Sequence, residues 1–432
     1  MPMNILIIGS GAKESALIYK LSQSPMVKKI FCIGSNTQIG EIAVSTNIAV
    51  DNFSAILDYI YEEDVNLTVV CSKTARAKGL VEFLSKNQQM VIGGNTSIYK
   101  FEKSRILTRA FLNKNNIQTT KSESFDNSVL AVTHLQKKKF PVYIKYEGVS
   151  EGGGVFFCAD KDEARKRIEK CFELSHRSVI IEDYVKGKEI ILNVLTDGYN
   201  AIPLPSCHVY KRNLDGEGGA YTGGIGAFAP LDFVDAKIEE KLAHKVIFPL
   251  IDAITAEGHN FTGVLQTQII IDGRGELYLL GFKGDFGMID AQTILPLIDD
   301  DLFNLLYATA TGALEDFDCI VKTNEAYSVA VQVRSGIIPG KPLKDQKILG
   351  LEFFDNDDIT IFEEDITFNR FKEKVTNGEN VLTAVATGST LRRAFDNVYS
   401  ELENLKFKGI YYRKDIAKSY LDYQSLLQDV KM

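Results

Sequence analysis

The chain has 432 residues, of which 45% are hydrophobic and 25% are charged, and its formal net charge is −8. This length exceeds a single hydrophobic core and predicts roughly two to four domains of an ordinary soluble globular protein. The acidic balance argues against a general nucleic-acid binder, whose surface would be basic, and no apolar run is long enough to span a membrane.

Six cysteines are spread along the chain without a Cys-x-x-Cys pair. This spacing favours buried free thiols in a reducing compartment over a disulfide framework or a zinc site. The first eight residues predict a buried strand and lack the basic segment and cleavage site of a secretory signal. We therefore expect a cytoplasmic protein.

Strands and helices alternate at short intervals in the first part of the chain, which predicts a doubly wound parallel sheet for residues 1–101. Ligands on such sheets bind at the carboxyl ends of the strands, the first of which runs into the Gly9-Ser-Gly11 turn. That turn lacks the third glycine of a dinucleotide site, because position 14 is glutamate, so NAD binding is disfavoured. The predicted strands are 4–8, 30–33, 67–71 and 90–93, and the predicted helices are 13–24, 54–63 and 78–87.

A glycine-rich segment directly follows the predicted strand 140–144. Lys145 stands at the end of that strand, and Gly148, Gly152 and Gly154 follow it. Glycine N–H groups close around an anion and a lysine adds charge beside them, so the segment predicts a nucleotide phosphate site. A hairpin turn is the alternative interpretation of this feature alone.

The remaining pattern predicts four further units. A helical link at 102–118 precedes a small α/β unit at 119–188, and a larger antiparallel unit at 189–325 precedes a C-terminal unit at 326–432. The predicted strands are 178–182, 190–196, 264–271, 277–282, 328–334 and 381–387, with a helix at 390–402 and a glycine-rich segment at 215–226. We expect an α/β multidomain protein, with a small α+β domain at its C-terminal end.

Motifs along almost the whole chain resemble those of glycinamide ribonucleotide synthetase (phosphoribosylamine–glycine ligase), a member of the ATP-grasp superfamily. Residues 144–154, Ile-Lys-Tyr-Glu-Gly-Val-Ser-Glu-Gly-Gly-Gly, are similar to the family's Ile-Lys-Ala-Asp-Gly-Leu-Ala-Ala-Gly-Lys-Gly. Segments 5–17, 104–108, 211–212, 222–230 and 412–416 are each similar to a family motif and follow in the family's order. The resemblance implies ATP-grasp central domains between an N-terminal α/β domain and a C-terminal cap.

The resemblance also implies the reaction and its partners. Glycine would be joined to phosphoribosylamine through a glycyl phosphate, with ATP split to ADP and phosphate, in de novo purine synthesis. We expect these small molecules as ligands, no nucleic acid or membrane, and a monomer or homodimer.

The resemblance predicts site residues in three groups. The ATP-binding residues would be Lys145, Gly148, Gly152, Gly154, Glu182, Val185 and Glu189. The catalytic residues would be Arg105, Lys145, Lys211, Arg212, Lys283 and Asp285. The substrate-binding residues would be Gly9, Gly11, Lys13, Glu14, Thr222, Gly223 and Gly224.

The metal site departs from the family pattern. Where the family has the magnesium ligands Glu and Asn, this chain has Gly281 and Lys283, and Asp285 replaces an arginine. Magnesium needs oxygen ligands, so neither family position supplies one, and Asp285 or Asp290 are the candidate replacements. Lys283 could instead neutralise phosphate charge. Gly153 replaces a loop lysine, and Tyr221 replaces an asparagine.

Three hypotheses follow from these departures. The chain could be a diverged synthetase with a rebuilt metal site, or an ATP-grasp ligase for another acid and amine. It could also be a non-catalytic relative that binds a nucleotide or a partner protein. Loss of both metal ligands favours the latter two, because metal ions carry much of phosphoryl-transfer catalysis, and the whole-chain resemblance favours the first.

Overall fold

The N-terminal part is a parallel sheet, as predicted. The structure is a computed structural model that describes residues 1–34, 36–148, 154–174, 176–317, 320–338, 340–354 and 359–429. Its first sheet has five parallel strands in the order β3-β2-β1-β4-β5, and the central strand is buried because helices cover both faces. The elements are β1 Met3–Ile8, α1 Ala12–Ser22, β2 Val27–Ile33, α2 Ile39–Ile42, β3 Val44–Thr46, α3 Phe53–Glu62, β4 Val65–Val70, α4 Lys73–Lys78, α5 Leu80–Lys86 and β5 Val91–Ile92.

One helix in this region differs from the sequence expectation. The helix predicted at 78–87 is α5, and a further short helix that the prediction did not include, α4, precedes it in the segment after β4. Gly79 separates them with a φ of 91°, a left-handed conformation that a continuous helix does not contain. The break places Arg76 in the last turn of α4, close to the carboxyl edge of the sheet.

A helical link leads into a small lid. Helices α6 Thr96–Lys103 and α7 Arg105–Lys114 precede a four-stranded antiparallel sheet in the order β6-β9-β7-β8. This sheet has its own hydrophobic cluster, including Ile144, Ile168 and Ile181, so the lid is a separate packing unit. Its elements are β6 Ser122–Phe125, α8 Ser128–His134, β7 Val142–Tyr146, β8 Val155–Cys158, α9 Lys161–Glu173 and β9 Val179–Asp183.

The large unit contains an antiparallel sheet with strand order β11-β10-β14-β15. Its elements are β10 Gly187–Thr196, β11 Ala201–Pro203, β12 His208–Leu214, β13 Gly218–Ala229, α10 Ala236–Leu242, α11 Phe248–Ala256, β14 Gly263–Asp272, β15 Leu277–Lys283, α12 Asp290–Ile294 and α13 Leu302–Thr311. Much of the glycine-rich segment at 215–226 is strand β13, which the glycine content hid because glycine has a low strand propensity.

The last sheet joins the large unit to the C-terminal part. It has six strands in the order β12-β13-β16-β20-β17, with β21 paired to β16. The sequence pattern predicts a boundary between residues 325 and 326. Strands from before and after this boundary share one sheet, so it does not separate two sheets. The remaining elements are β16 Tyr327–Ser335, β17 Ile359–Glu363, β18 Ile366–Phe368, β19 Lys374–Thr376, β20 Asn380–Gly388, α14 Leu391–Leu402, β21 Ile410–Tyr411 and α15 Lys418–Asp429.

Two predictions from composition agree with the fold. Within the described ranges, no helix has the length and apolar character needed to cross a bilayer. Cys32, Cys71, Cys158, Cys171 and Cys207 are free and buried, as expected for structural thiols; the sixth cysteine lies outside the described residues.

Candidate functional site

A buried ion pair marks the predicted nucleotide cleft. Lys145 Nζ on β7 lies 2.7 Å from Glu182 Oε1 on β9, and Arg109 Nη2 on α7 lies 2.7 Å from Glu182 Oε2. Burial raises the pKa of Glu182, but the charges and hydrogen bonds of Lys145 and Arg109 outweigh this effect and bring it to about 2. The carboxylate is therefore ionised and held in place from both sides.

Arg105 lies beside the glycine-rich segment. It begins α7, and its Nη1 donates to the Tyr146 carbonyl at 2.9 Å. The Tyr146 N–H in turn donates to the Gly154 carbonyl at 2.7 Å, which closes the β7–β8 hairpin. Gly148 and Gly154 have φ values of 77° and 70°, as a tight turn requires. Gly152 lies outside the described residues.

Glu189 begins the large unit's contribution to the cleft. Its carboxylate accepts hydrogen bonds from Lys211 on β12 and from Gln268 on β14, the latter at 3.1 Å. Val185 lies between β9 and β10, at the connection from lid to large unit. The two predicted glutamates thus stand on opposite sides of this connection, each bound to a lysine.

An aromatic contact joins the lid to the large unit. The Tyr221 hydroxyl on β13 lies 3.4 Å from the Tyr143 hydroxyl on β7. The Arg212 guanidinium stacks 4.3 Å from the centre of the Tyr221 ring, and its Nη1 donates to the Gly219 carbonyl at 2.9 Å. Burial raises the pKa of Tyr143, so this hydroxyl is protonated at neutral pH. Tyr221 therefore links the predicted residue Arg212 to the lid.

The predicted residues Thr222, Gly223 and Gly224 pack against the loop after β15. A Cβ added to Gly223 would overlap Met288, and one added to Gly224 would meet the Ile289 side chain at 2.9 Å. The Thr222 hydroxyl donates to the Lys211 carbonyl at 3.0 Å. The glycines permit this close approach, which places β13 directly beside the segment predicted to hold the metal.

The Gly9–Gly11 turn binds a carboxylate of its own helix. The Gly11 N–H donates to Glu14 Oε2 at 2.8 Å, and Gly9 adopts a φ of 145° that leaves room for the Glu14 carboxylate. Lys13 extends from α1 to Asp285 and donates to the Cys71 carbonyl at 3.4 Å. The predicted substrate residues therefore contact the end of the large unit's sheet.

Asp285 belongs to a buried charge network. Arg76 Nη2 lies 3.6 Å from Asp285 Oδ2, and Arg76 also makes a two-pronged pair with Glu102 at 2.5 and 3.2 Å. Burial lowers the pKa of Lys13, but Asp285 and Glu14 outweigh this effect and raise it above its usual value. The charge reversal at position 285 is thus neutralised by cations from the N-terminal unit.

The residues of the family metal site do not form a magnesium centre. Gly281 has no side chain, and Lys283 brings an ammonium. Asp290 is 1% exposed, and its Oδ2 accepts hydrogen bonds from Asn193, Gln266 and the Gly287 N–H. No group of three metal-ligating side chains occurs in the part of the chain that the structure describes. This donor set does not fit an octahedral magnesium ion.

Several residues of the site were not predicted. Arg109, Gln266 and Gln268 hydrogen-bond to the predicted residues Glu182, Asp290 and Glu189. Glu102 pairs with Arg76 and Tyr143 contacts Tyr221, and none of these four was predicted as a site residue. Arg109 follows Arg105 by one helical turn, and this spacing was a usable signal. The partners of the others come from distant segments, and no local pattern indicates them.

Comparisons with known proteins cover most of the chain. Residues 3–102, 103–291 and 328–419 match the N domain, the ATP-grasp (A) domain and the C domain of phosphoribosylglycinamide synthetase. The phosphoribosylamine–glycine ligase of Neisseria meningitidis serogroup B is 31% identical over 421 residues, 96% of this chain and 99% of the relative. That of Caldanaerobacter subterraneus is 30% identical over 423 residues, 97% of this chain and 100% of the relative.

Solved structures share the fold. The crystal structure of the phosphoribosylamine–glycine ligase from Thermotoga maritima has a TM-score of 0.81 at 23% identity, covering 96% of this chain and 100% of that chain. A biotin carboxylase complex with β,γ-ATP from Campylobacter jejuni has a TM-score of 0.70 at 14% identity, covering 98% of this chain and 95% of that chain. The arrangement of sheets is therefore the one found in these two structures.

Proposed function

The chain belongs to the phosphoribosylglycinamide synthetase family, and on this premise we propose that it joins glycine to phosphoribosylamine at the expense of ATP. The products are glycinamide ribonucleotide, ADP and phosphate. The observation that carries the proposal is the pair of lysine–glutamate contacts, Lys145–Glu182 and Lys211–Glu189, which stand on either side of the connection between lid and large unit.

The nucleotide half of the site supports ATP binding. Glu182 and the backbone near Val185 would form hydrogen bonds with the adenine edge. Glu189 would accept hydrogen bonds from the ribose hydroxyls. Lys145, as a compact point charge, and Arg105, as a planar and delocalised guanidinium, would contact phosphate oxygens beside the glycine segment. The lid's separate core allows it to move as a unit over the bound nucleotide.

The reaction proceeds in two displacements. A carboxylate oxygen of glycine attacks the γ-phosphorus of ATP, the bond to the bridging oxygen breaks, and ADP leaves with the electron pair. The nitrogen of phosphoribosylamine then attacks the carbonyl carbon of glycyl phosphate, inorganic phosphate leaves, and the nitrogen loses a proton. Lys211 and Arg212 lie on β12 next to the glycine strand, where they would hold the charged groups in place.

The acceptor would bind at the carboxyl edge of the N-terminal sheet. Gly9, Gly11, Lys13 and Glu14 lie there, and strand β17 closes the same edge through hydrogen bonds such as Asn36 Nδ2 to the Glu363 carbonyl at 2.9 Å. Thr222, Gly223 and Gly224 approach from β13. We propose that the protein acts in the cytoplasm as a monomer or homodimer.

The test is product formation by the purified protein. It would receive ATP, magnesium, glycine and phosphoribosylamine generated in situ, and mass spectrometry would measure glycinamide ribonucleotide. We expect product above the no-enzyme background, and at least about a hundredfold less from Lys145→Met, because a preorganised charge on the transferred phosphoryl group is lost.

The Neisseria meningitidis relative, assayed in parallel, confirms that the substrates are competent. A folded protein that binds ATP but gives no product would contradict the proposal. It would favour the alternative hypotheses, a ligase for another acid and amine or a non-catalytic relative, which the replaced metal ligands motivate.

A further inference from the structure

One face of the large unit's sheet presents polar side chains towards the cleft. In the antiparallel register, Gln266 pairs with Asn193 on one side and with Lys283 on the other, and Gln268 pairs with Gly281. Residues directly opposite each other share a face, as do alternate residues on one strand. Glu189, which alternates with Asn193 along β10, therefore lies on the same face as Lys283.

Lys283 is the terminal residue of β15 and is half-buried on this face. Its side chain makes no hydrogen bond or ion pair with any residue that the structure describes. Burial lowers its pKa, and the carboxylates of Asp290, Glu102 and Asp285 act against this effect. An ammonium so placed has lost part of its hydration without gaining a direct partner, which favours an anion as its ligand.

The neighbouring carboxylates are already paired. Asp285 accepts a hydrogen bond from Lys13 and another, at 2.8 Å, from the Phe286 N–H. Glu102 binds Arg76 and the Gly284 N–H, the latter at 2.9 Å. Asp290 accepts from two side-chain amides at 2.8 and 2.5 Å. Each of these groups is held by protein donors, and none of them makes an ion pair with Lys283.

We propose that Lys283 binds the phosphate chain of the nucleotide directly and replaces a protein-held magnesium ion at this position. The inference rests on the proposed use of ATP, but not on which acid and amine are joined. A lysine ammonium is a compact point charge with three donors, suited to phosphate oxygens. Unlike a metal ion, it is supplied by the chain and needs no carboxylate ligands.

The consequence is nucleotide binding that does not require a divalent cation. We expect the parent protein to bind ATP with similar affinity, within about threefold, in magnesium buffer and in EDTA. In EDTA, Lys283→Met should weaken ATP binding about tenfold or more, because a charge-assisted contact is lost. Adenosine, which has no phosphate, should bind both proteins equally. Calorimetry with ATP and adenosine measures all of these affinities.

Two matched variants control the experiment. Lys283→Arg keeps the charge and should retain most of the ATP affinity in EDTA. Lys188→Met removes a lysine next to Glu189 on β10, where residue alternation places it on the other face, stacked 4.2 Å from the centre of the Phe233 ring. It should leave ATP affinity unchanged. Circular dichroism establishes that each variant is folded.

The reverse substitution sharpens the test. A Cβ added to Gly281 would meet no described atom within 4 Å, so a longer side chain has room there. Gly281→Glu combined with Lys283→Asn supplies two oxygen ligands, and ATP binding by this variant should become magnesium-dependent.

The inference is overturned if the parent binds ATP only with magnesium, if it binds no ATP in either buffer, or if Lys283→Met binds ATP as the parent does. It is also overturned if the double variant shows no new magnesium dependence while folded. Failure of the ligation assay with these binding results intact would contradict the proposed reaction and leave this inference standing.

Discussion

At the residue scale, the predicted nucleotide site contains a buried carboxylate, Glu182, that two cations contact. Glu182 is 3% exposed and has one cation on each oxygen, so its charge is compensated without solvent. Burying a carboxylate costs several kcal/mol unless it is paired, and this pairing explains why a charged group is stable there. Because the Glu182 carboxylate is already ionised, it can accept a hydrogen bond from a ligand without a change of protonation.

The pairing predicts a pH dependence. The pKa of Glu182 is about 2 in the folded protein against 4.5 for an unperturbed glutamate, so the unfolded chain binds its proton first as pH falls. The stabilisation is complete above about pH 4.5 and is lost as the pH falls towards 2. At pH 7 the free energy of unfolding of Glu182→Gln should be smaller than that of the parent. Between pH 5 and pH 2 it should fall by less than that of the parent.

Urea unfolding at a series of pH values measures this difference. Glu173→Gln, at an exposed glutamate in the lid, is the control and should follow the parent curve. Parallel stability curves for the parent and Glu182→Gln would show that the pair does not hold the carboxylate as described.

At the element scale, strand β13 is shaped by what packs on it. Its glycines admit Met288 and Ile289 on the site side, and Gly226 admits the buried Ile416 from the segment before α15. The sequence shows a run of glycines at 216–226. The structure shows that each of the three glycines facing these side chains leaves space for a particular neighbour, which a local pattern does not reveal.

Gly226→Ala should destabilise the protein by about 1–3 kcal/mol, because its methyl group would overlap Ile416 in a packed core. Gly273→Ala is the matched control, since a Cβ there meets nothing within 4 Å among the described atoms, and its effect should stay within about 0.5 kcal/mol. Thermal and urea unfolding measure both. Equal stability of the two variants would mean that Ile416 can move aside without cost.

At the scale of the whole molecule, the C-terminal part completes the large unit. Strand β16 pairs with β13 from Gly226 opposite Val331 to Ala229 opposite Ser328. One hydrophobic cluster contains Leu265 of β14 together with Val331 of β16 and Ala384 of β20. The C-terminal part is therefore a component of the same core, in contrast to the lid.

A fragment ending at residue 325 should not unfold cooperatively, because β13 would lose its partner and expose buried apolar residues. Replacing lid residues 122–182 by a short glycine linker should leave cooperative unfolding intact, since the Asp183 N–H bonds to the Lys121 carbonyl at 2.9 Å and the ends are close. Near-ultraviolet circular dichroism during urea unfolding tests both. A native-like transition in the 1–325 fragment would contradict the shared core.

Much of the site could be predicted from the sequence, for identifiable reasons. Lys145 and Glu182 lie at the ends of apolar runs with strand-like length, and the motif order placed Glu189 in the large unit. Of their pairing partners, Lys211 was itself predicted from its motif, and Arg109 was not predicted although it lies one helical turn after the predicted Arg105. Asp285 stays a predicted catalytic residue whose role is untested, and the structure adds that Lys13 and Arg76 neutralise it.

The sequence by itself determined the family and the alternation that builds the parallel sheet, because these depend on periodicity and on motifs that are contiguous in the chain; the residues of the nucleotide cleft stay a prediction. The tertiary structure decided which charges meet. Lys13 and Asp285 are 272 residues apart, and Arg76 and Glu102 are brought to them by packing of α4 on α6 and of α6 on β15. It also decided that β13 and β16 share a sheet, because strand partners are chosen by burial of whole faces and not by local pattern.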